Sequence, residues 1–230
     1  MRRSENKMEK KFVFNKSNPF FYTILFGALA VILVIVDQIT KWAAQNALLQ
    51  EGNSIAVIPN FFYISLYHNT KVAFSLGLDG LWGRILNIMI SIVLSIAIVG
   101  YMVFNAKKNT PFMTFVLCLL SAGAVGNMID RIFYWTNTTG FDGVIDLFQF
   151  YLGGGPGNAQ TAGIPFNPFP TFNMADAYLT VGVILFLVLL LIETIQDTRK
   201  RQKEENEPHF TKNNMEKGTL QEKQEDGKED

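Results

Sequence analysis

Cysteine occurs once, at Cys118, and histidine twice, at His68 and His209. A single cysteine permits no internal disulfide, and its place in the middle of an apolar run suits packing. With two histidines, one of them in the charged C-terminal tail, there is little material for a His-based triad or a zinc centre. No HExxH, CxxC or GxxxxGK[ST] pattern occurs, which removes the familiar zinc-peptidase, thiol-redox and phosphate-loop chemistries. The 20 Lys+Arg and 20 Asp+Glu residues cancel, and no nucleic-acid partner is expected.

Charge itself is missing over long stretches. No charged residue lies between Ser17 and Val36, between Ile85 and Ala106, or between Asn109 and Ile129. A fourth apolar run, Ala177 to Ile192, is shorter and dense in Leu and Val. A bilayer core of roughly 30 Å needs about 20 helical residues to cross it. Three runs meet that length, and the fourth does so if its polar ends reach the interface. The sequence therefore predicts an all-α membrane protein with four transmembrane helices. The first run follows a basic start but ends in "VDQITKW" with no small-residue cleavage site, so it is read as a retained helix rather than a signal peptide.

The basic residues set an orientation. Six Lys/Arg stand in the first sixteen positions, Lys107 and Lys108 lie between the second and third runs, and "TRKRQK" follows the fourth. Tyr134 to Asn173 has no Lys or Arg, and Trp42 to Gly83 has only Lys71. Basic segments stay cytoplasmic, so both termini are expected inside and two larger loops outside, as in a multi-pass membrane protein. Three regions result: a basic N-terminus (1–16), a four-helix core (17–196) and a charged tail (197–230) without the apolar content for a core, expected to be disordered. The first outer loop mixes β-branched and aromatic residues, which suits short strands at the membrane surface. The second contains "LGGGPGNAQTAGIPFNPFP", where Gly and Pro exclude a regular element.

One short pattern occurs twice. "GNMID" and "FNMAD" both read N-x-x-D, and positions three apart share a helix face. Asn127 with Asp130, and Asn173 with Asp176, can each present an amide beside a carboxylate. Asp37 is expected at the outer end of the first helix, and Asp146 in the second outer loop within "GVIDLFQFY". Four carboxylates thus converge on one side of the membrane, where ionisable groups are usually functional. Plainer readings stand beside this one. Asp37 and Lys41 are spaced for a local ion pair. Asp130 beside Arg131 suits a buried charge cluster. Asn173 suits a helix N-cap, with Asp176 favouring the positive helix end.

The residue census directs any chemistry to carboxylates. Two carboxyl groups held together do not both ionise easily. The charged one activates water, and the protonated one donates to a carbonyl oxygen, which is aspartic-type peptide hydrolysis. Asp146 and Asp176 are the best pair, because neither has a basic neighbour in sequence. In these residues the chain resembles the lipoprotein signal peptidase (signal peptidase II) family of bacterial membrane aspartic peptidases. The resemblance spans about residues 20 to 195 and rests on "VDQITKW", "HNTKVAFSL", "GNMIDRI", "VIDLF" and "FNMADAY", in the family's order.

That resemblance implies removal of the signal peptide just before a lipid-modified cysteine, from a diacylglyceryl-modified prolipoprotein, by a monomer among membrane lipids. It implies catalytic roles for Asp146 and Asp176, and supporting roles for Asp37, Lys41, Asn69, Asn127, Asp130, Arg131 and Asn173. No metal or organic cofactor is called for, since water is the nucleophile. The chain departs from the family at Lys71, where a glycine is usual, and in a longer gap between "VIDLF" and "FNMAD". The Gly153 to Pro170 loop in that gap is either a gate or a passive insertion. A small transporter or channel lined by Asp and Asn is the competing function; it requires carboxylates at mid-membrane.

Overall fold

The computed structural model describes residues 19–69, 80–133, 143–156 and 167–206. Lys71, the middle of the Gly/Pro loop and the last part of the tail lie outside the described residues. The order of elements is α1 (Pro19–Leu48), β1 (Ser54–Ile58), β2 (Phe62–Asn69), α2 (Gly80–Phe104), α3 (Pro111–Phe133), β3 (Val144–Phe150) and α4 (Met174–Asn206). All four helices contain a stretch long and apolar enough to cross a membrane, as expected, and a small antiparallel sheet accompanies them.

Local chemistry starts and stops these helices. Pro19 and Pro111 open α1 and α3, at the position where a missing N–H costs nothing. Thr110 caps α3 by accepting from the Met113 amide at 3.1 Å. Leu49 ends α1 in the left-handed region, at φ 61°, and the Asn53 side chain donates to the freed Leu48 carbonyl at 2.7 Å.

Two boundaries differ from the sequence reading. The first charge-free run stops at Val36, but α1 continues to Leu48, which puts Asp37 well inside the helix rather than at its outer end. The i, i+4 partner Lys41 makes this tolerable by meeting Asp37 at 2.7 Å. At the other end, α4 runs through Asn206, past the expected boundary at 196. "TRKRQKEEN" consists mostly of good helix formers, and extending an existing helix needs no new nucleus.

The chain forms two compact units, Met1–Phe186 and Leu187–Asp230. Over its described residues the second is the latter part of α4. It begins with exposed Leu187, Leu190 and Leu191 and ends in basic sequence, with Lys200 set 3.9 Å from Asp197.

In the first unit α3 is the inner helix. Of its membrane-spanning window 56% is buried, against 11% for that of α1 and of α2, and it packs on both. Small residues permit this, as is usual between membrane helices. A Cβ added at Gly123 would strike the Ala175 carbonyl oxygen and the Leu179 side chain. One added at Gly126 would lie 2.8 Å from Asp37 Oδ2 and 3.0 Å from Ala175 Cβ. Gly126→Ala is therefore expected to push Asp37 and the start of α4 off α3 and to destabilise by about 1–3 kcal/mol, the range for overpacking. Thermal unfolding in detergent measures this; an unchanged midpoint would show that the approach relaxes freely.

The sheet has the order β1-β2-β3, all antiparallel. It gathers the C-terminal ends of α1 and α3 and the start of α4 at one end of the helices. Asp146 faces Tyr67 across the ladder. Asp146 lies in the connection between α3 and α4, as expected, and stands there on β3, whose "VIDLFQF" has the β-branched and aromatic content of a strand.

Candidate active site

The site is built on a buried ion cluster. Lys41 is 1% exposed, and Asp37 and Asp130 are 0% exposed. The ammonium meets Asp37 Oδ2 at 2.7 Å and Asp130 Oδ2 at 2.8 Å, and donates to Asn127 Oδ1 at 3.3 Å. An ammonium has three protons, and each has a partner. The remaining acceptor capacity is filled from the backbone and Gln38. Asp37 Oδ1 accepts from the Ala175 amide in the first turn of α4 at 2.9 Å. Asp130 Oδ2 accepts from the Ile145 amide of β3 at 3.2 Å. The Gln38 amide donates to Asp130 Oδ1 at 2.9 Å and to the Gly126 carbonyl at 3.2 Å. One charge cluster so fastens α1, α3, β3 and the start of α4 together.

Above it lies an amide–carboxylate chain. Asn127 donates to Asp176 Oδ1 at 2.7 Å. Its oxygen accepts from Asn173 Nδ2 at 3.2 Å, and that same nitrogen reaches Asp146 Oδ1 at 2.9 Å and the Ile145 carbonyl at 3.1 Å. Asn69 donates to the other oxygen of Asp146 at 3.1 Å. At the start of α4 both readings describe Asn173. Asn173 Oδ1 accepts from the Asp176 amide at 2.9 Å, and Asp176 Oδ2 accepts from the Asn173 amide at 3.2 Å. This is a reciprocal cap. Its amide nitrogen, which capping does not use, is turned to Asp146.

Asp146 and Asp176 both line a cavity of about 440 Å³. Its polar wall also includes Asn69, Asn127 and Arg131. Its apolar lining includes Ile90, Leu94 and Ile98, spaced one helical turn apart on α2, together with Ala124, Val144, Phe172 and Leu179. Asp146 is 2% exposed. Burial, and then the neighbouring charge of Asp176, push its carboxyl up to about 7, against the hydrogen bonds from Asn69 and Asn173 and the charge of Lys41. Asp176 lies in the first turn of α4, where the helix end favours negative charge.

The nine residues singled out in the sequence all fall in this region, with altered pairings. Asp130 pairs with Lys41 and bonds β3, whereas Arg131 bonds Ser91 on α2 at 3.1 Å. The adjacent Asp130 and Arg131 are therefore not a simple pair, because consecutive helix positions point in different directions. His68 sets its Nδ1 3.7 Å from Glu51 Oε2 and does not line the cavity. Sequence reasoning missed Gln38 and Ser91. Gln38 stands inside the "VDQITKW" block, between two residues already marked. Ser91 had no signal, being one of two serines in an apolar run.

A family model described as "Signal peptidase (SPase) II" matches residues 29–192. The chain belongs to the signal peptidase II family. The lipoprotein signal peptidase of Symbiobacterium thermophilum is 38% identical over 170 residues, covering 72% of this chain and 93% of its own. That of Halalkalibacterium halodurans is 34% identical over 184 residues, covering 80% and 99%. A solved structure described as a bacterial membrane enzyme matches with a TM-score of 0.54 at 33% identity, over 75% of this chain and 88% of that one. A second so described has a TM-score of 0.51 at 31% identity, over 74% and 92%. The chain is thus a multi-pass bacterial membrane protease that removes signal peptides from prolipoproteins, and the transporter or channel reading is not favoured.

Proposed function

We propose that Asp146 and Asp176 are the catalytic pair of this aspartic endopeptidase, which cuts just before a diacylglyceryl cysteine. The observation that carries the reading is the shared cavity wall. Two carboxyl groups in unlike surroundings face one space and are linked through Asn127 and Asn173. Asp146, raised to about 7, is the protonated member, and Asp176, in the first turn of α4, is assigned as the base.

In the reaction Asp176 takes a proton from water as the water oxygen bonds to the scissile carbonyl carbon. Asp146 gives its proton to the carbonyl oxygen, so a neutral tetrahedral diol forms. Collapse of the diol breaks the C–N bond, the proton on Asp176 passes to the leaving nitrogen, and the diol returns a proton to Asp146. The net change is one water consumed and one peptide bond opened. Lys41, Asp37 and Asp130 hold the helices, and Asn127, Asn173 and Asn69 aim the two carboxyls. The apolar stripe on α2 suits the apolar end of a signal peptide, while lipid tails remain with the bilayer. All these groups come from one chain, which supports a monomer. The basic segments support both termini in the cytoplasm and the site near the outer surface.

The test is cleavage of a lipidated precursor by the purified protein in detergent. Mass spectrometry should find the precursor lighter by the signal peptide, with the lipidated cysteine as new N-terminus. A folded protein that leaves the precursor whole, or cuts elsewhere, would refute the proposal.

A pH profile follows from the pair, which titrates as a unit. Asp146 must be protonated, so kcat/KM should fall as pH rises through about 7. The Asn69 hydrogen bond favours the ionised form of Asp146, so Asn69→Ala should move this alkaline limb to higher pH. A limb that stays in place, or shifts downward, would mean that Asp146 is not the acid.

A further inference from the structure

We propose that Ser91 is a positioning residue for Arg131 and, through it, for the reaction at the Asp146–Asp176 cavity; the inference rests on the reading of that cavity as the active site. Ser91 is 8% exposed and is the polar member of the α2 wall, among Ile90, Leu94 and Ile98. A hydroxyl has one proton to donate. Ser91 gives it to the Asn87 carbonyl at 2.8 Å, which commits its lone pairs to acceptance. Arg131 Nη1 donates to that oxygen at 3.1 Å.

The neighbouring carboxylate does not compete for the guanidinium. The oxygens of Asp130 are taken by Lys41, Gln38 and the Ile145 amide. Arg131 lies instead on the cavity wall with both members of the proposed pair, in the field of Asp176, Asp130 and Asp146. A long side chain loses much rotamer freedom when fixed in one place, and its charge acts on the reacting atoms only from a fixed place. Ser91 supplies the fixed point, from a helix that otherwise offers the cavity hydrocarbon. This also accounts for a buried hydroxyl on a face where an alanine would cross the membrane more cheaply.

The experiment measures kcat, KM and thermal midpoint for Ser91→Ala, Ser91→Thr, Arg131→Lys and the Ser91→Ala/Arg131→Lys double variant. Ser91→Ala should lower kcat about tenfold, a barrier change of about 1.4 kcal/mol, with KM nearly unchanged. Ser91→Thr keeps the hydroxyl and should restore the rate. In the Arg131→Lys background Ser91→Ala should cost less than about twofold, because the two act as one unit. Three results would overturn the proposal: an unchanged kcat in Ser91→Ala, a loss that threonine fails to restore, or the full loss persisting in the Arg131→Lys background. Asp146→Asn is run alongside. If it stays active, the reading of the cavity fails, independently of Ser91.

Discussion

Asparagine at position 146 or 176 is expected to stop cleavage while the protein stays folded. Each substitution keeps the shape of the side chain and removes its titratable proton. General acid–base catalysis contributes about 10²–10⁴-fold, so each variant should lose at least about a hundredfold in kcat, or about 2.7 kcal/mol of barrier. The two should differ in stability. Asp146 is raised to about 7 from an ordinary 3.8, so between those values the folded state binds more of its proton than the unfolded state does. Such a group stabilises the fold fully below the unfolded value, and this contribution is lost as pH rises through about 7. Asp146→Asn cannot ionise and should flatten that dependence, which makes the variant at least as stable as the parent above pH 7. Asn69 can turn its amide to accept from the new side chain. Asp176→Asn forfeits half of the reciprocal cap, since its new amide cannot accept from both Asn127 and the Asn173 backbone; a loss of about 1 kcal/mol is expected. Single-turnover cleavage and thermal midpoints across pH measure both effects. Retention of more than about a tenth of the activity, a barrier change under ~1.4 kcal/mol, would move the role to another group, Asp130 first.

What the sequence reveals depends on range. The four spans are legible because hydrocarbon forces length and apolarity on every crossing segment. The N-x-x-D pairs are legible because three positions on a helix make a local face. The true partners of those pairs are not local. Asn127 and Asp130 share α3, yet Asn127 bonds Asp176, 49 residues on, and Asp130 bonds Gln38, 92 residues back. Neighbourhood in sequence suggested Arg131 for Asp130, and tertiary packing supplied Lys41 instead. The end of α1 was misplaced for a related reason. A charge after an apolar run looks like the membrane edge unless its neutralising partner is known to be buried with it. The strand around Asp146 was not legible because its seven residues gain their stability from β2, which lies far away in the chain. Gly126 carries no signal at all until Asp37 is found against it.

Lys41→Met should be the most damaging single change to the fold. Methionine nearly matches the apolar stem and deletes the charge together with all three donated contacts, to Asp37, Asp130 and Asn127. Two carboxylates with 0% exposure would then face each other without a counter-charge. Removing one partner of a buried ionic cluster costs about 3–5 kcal/mol, a large part of the ~5–15 kcal/mol that holds a typical protein together. A sharp fall in yield and in thermal midpoint is expected. If the loss comes from stranded charge rather than from missing packing, neutralising the carboxylates should reverse it. Asp37→Asn keeps an oxygen for the Ala175 amide, and Asp130→Asn keeps one for the Ile145 amide. Adding both to Lys41→Met should recover more than about half of the lost stability, since a neutral cluster escapes most of the desolvation cost. Activity should not return with it. Asn127 would still lack the ammonium that fixes its oxygen, and with it the direction of the amide that holds Asp176. Stability without turnover in the triple variant is thus the expected signature. A Lys41→Met protein as stable as its parent would show that the buried carboxylates do not depend on Lys41. A triple variant with full activity would show that the cluster does not orient the proposed catalytic pair.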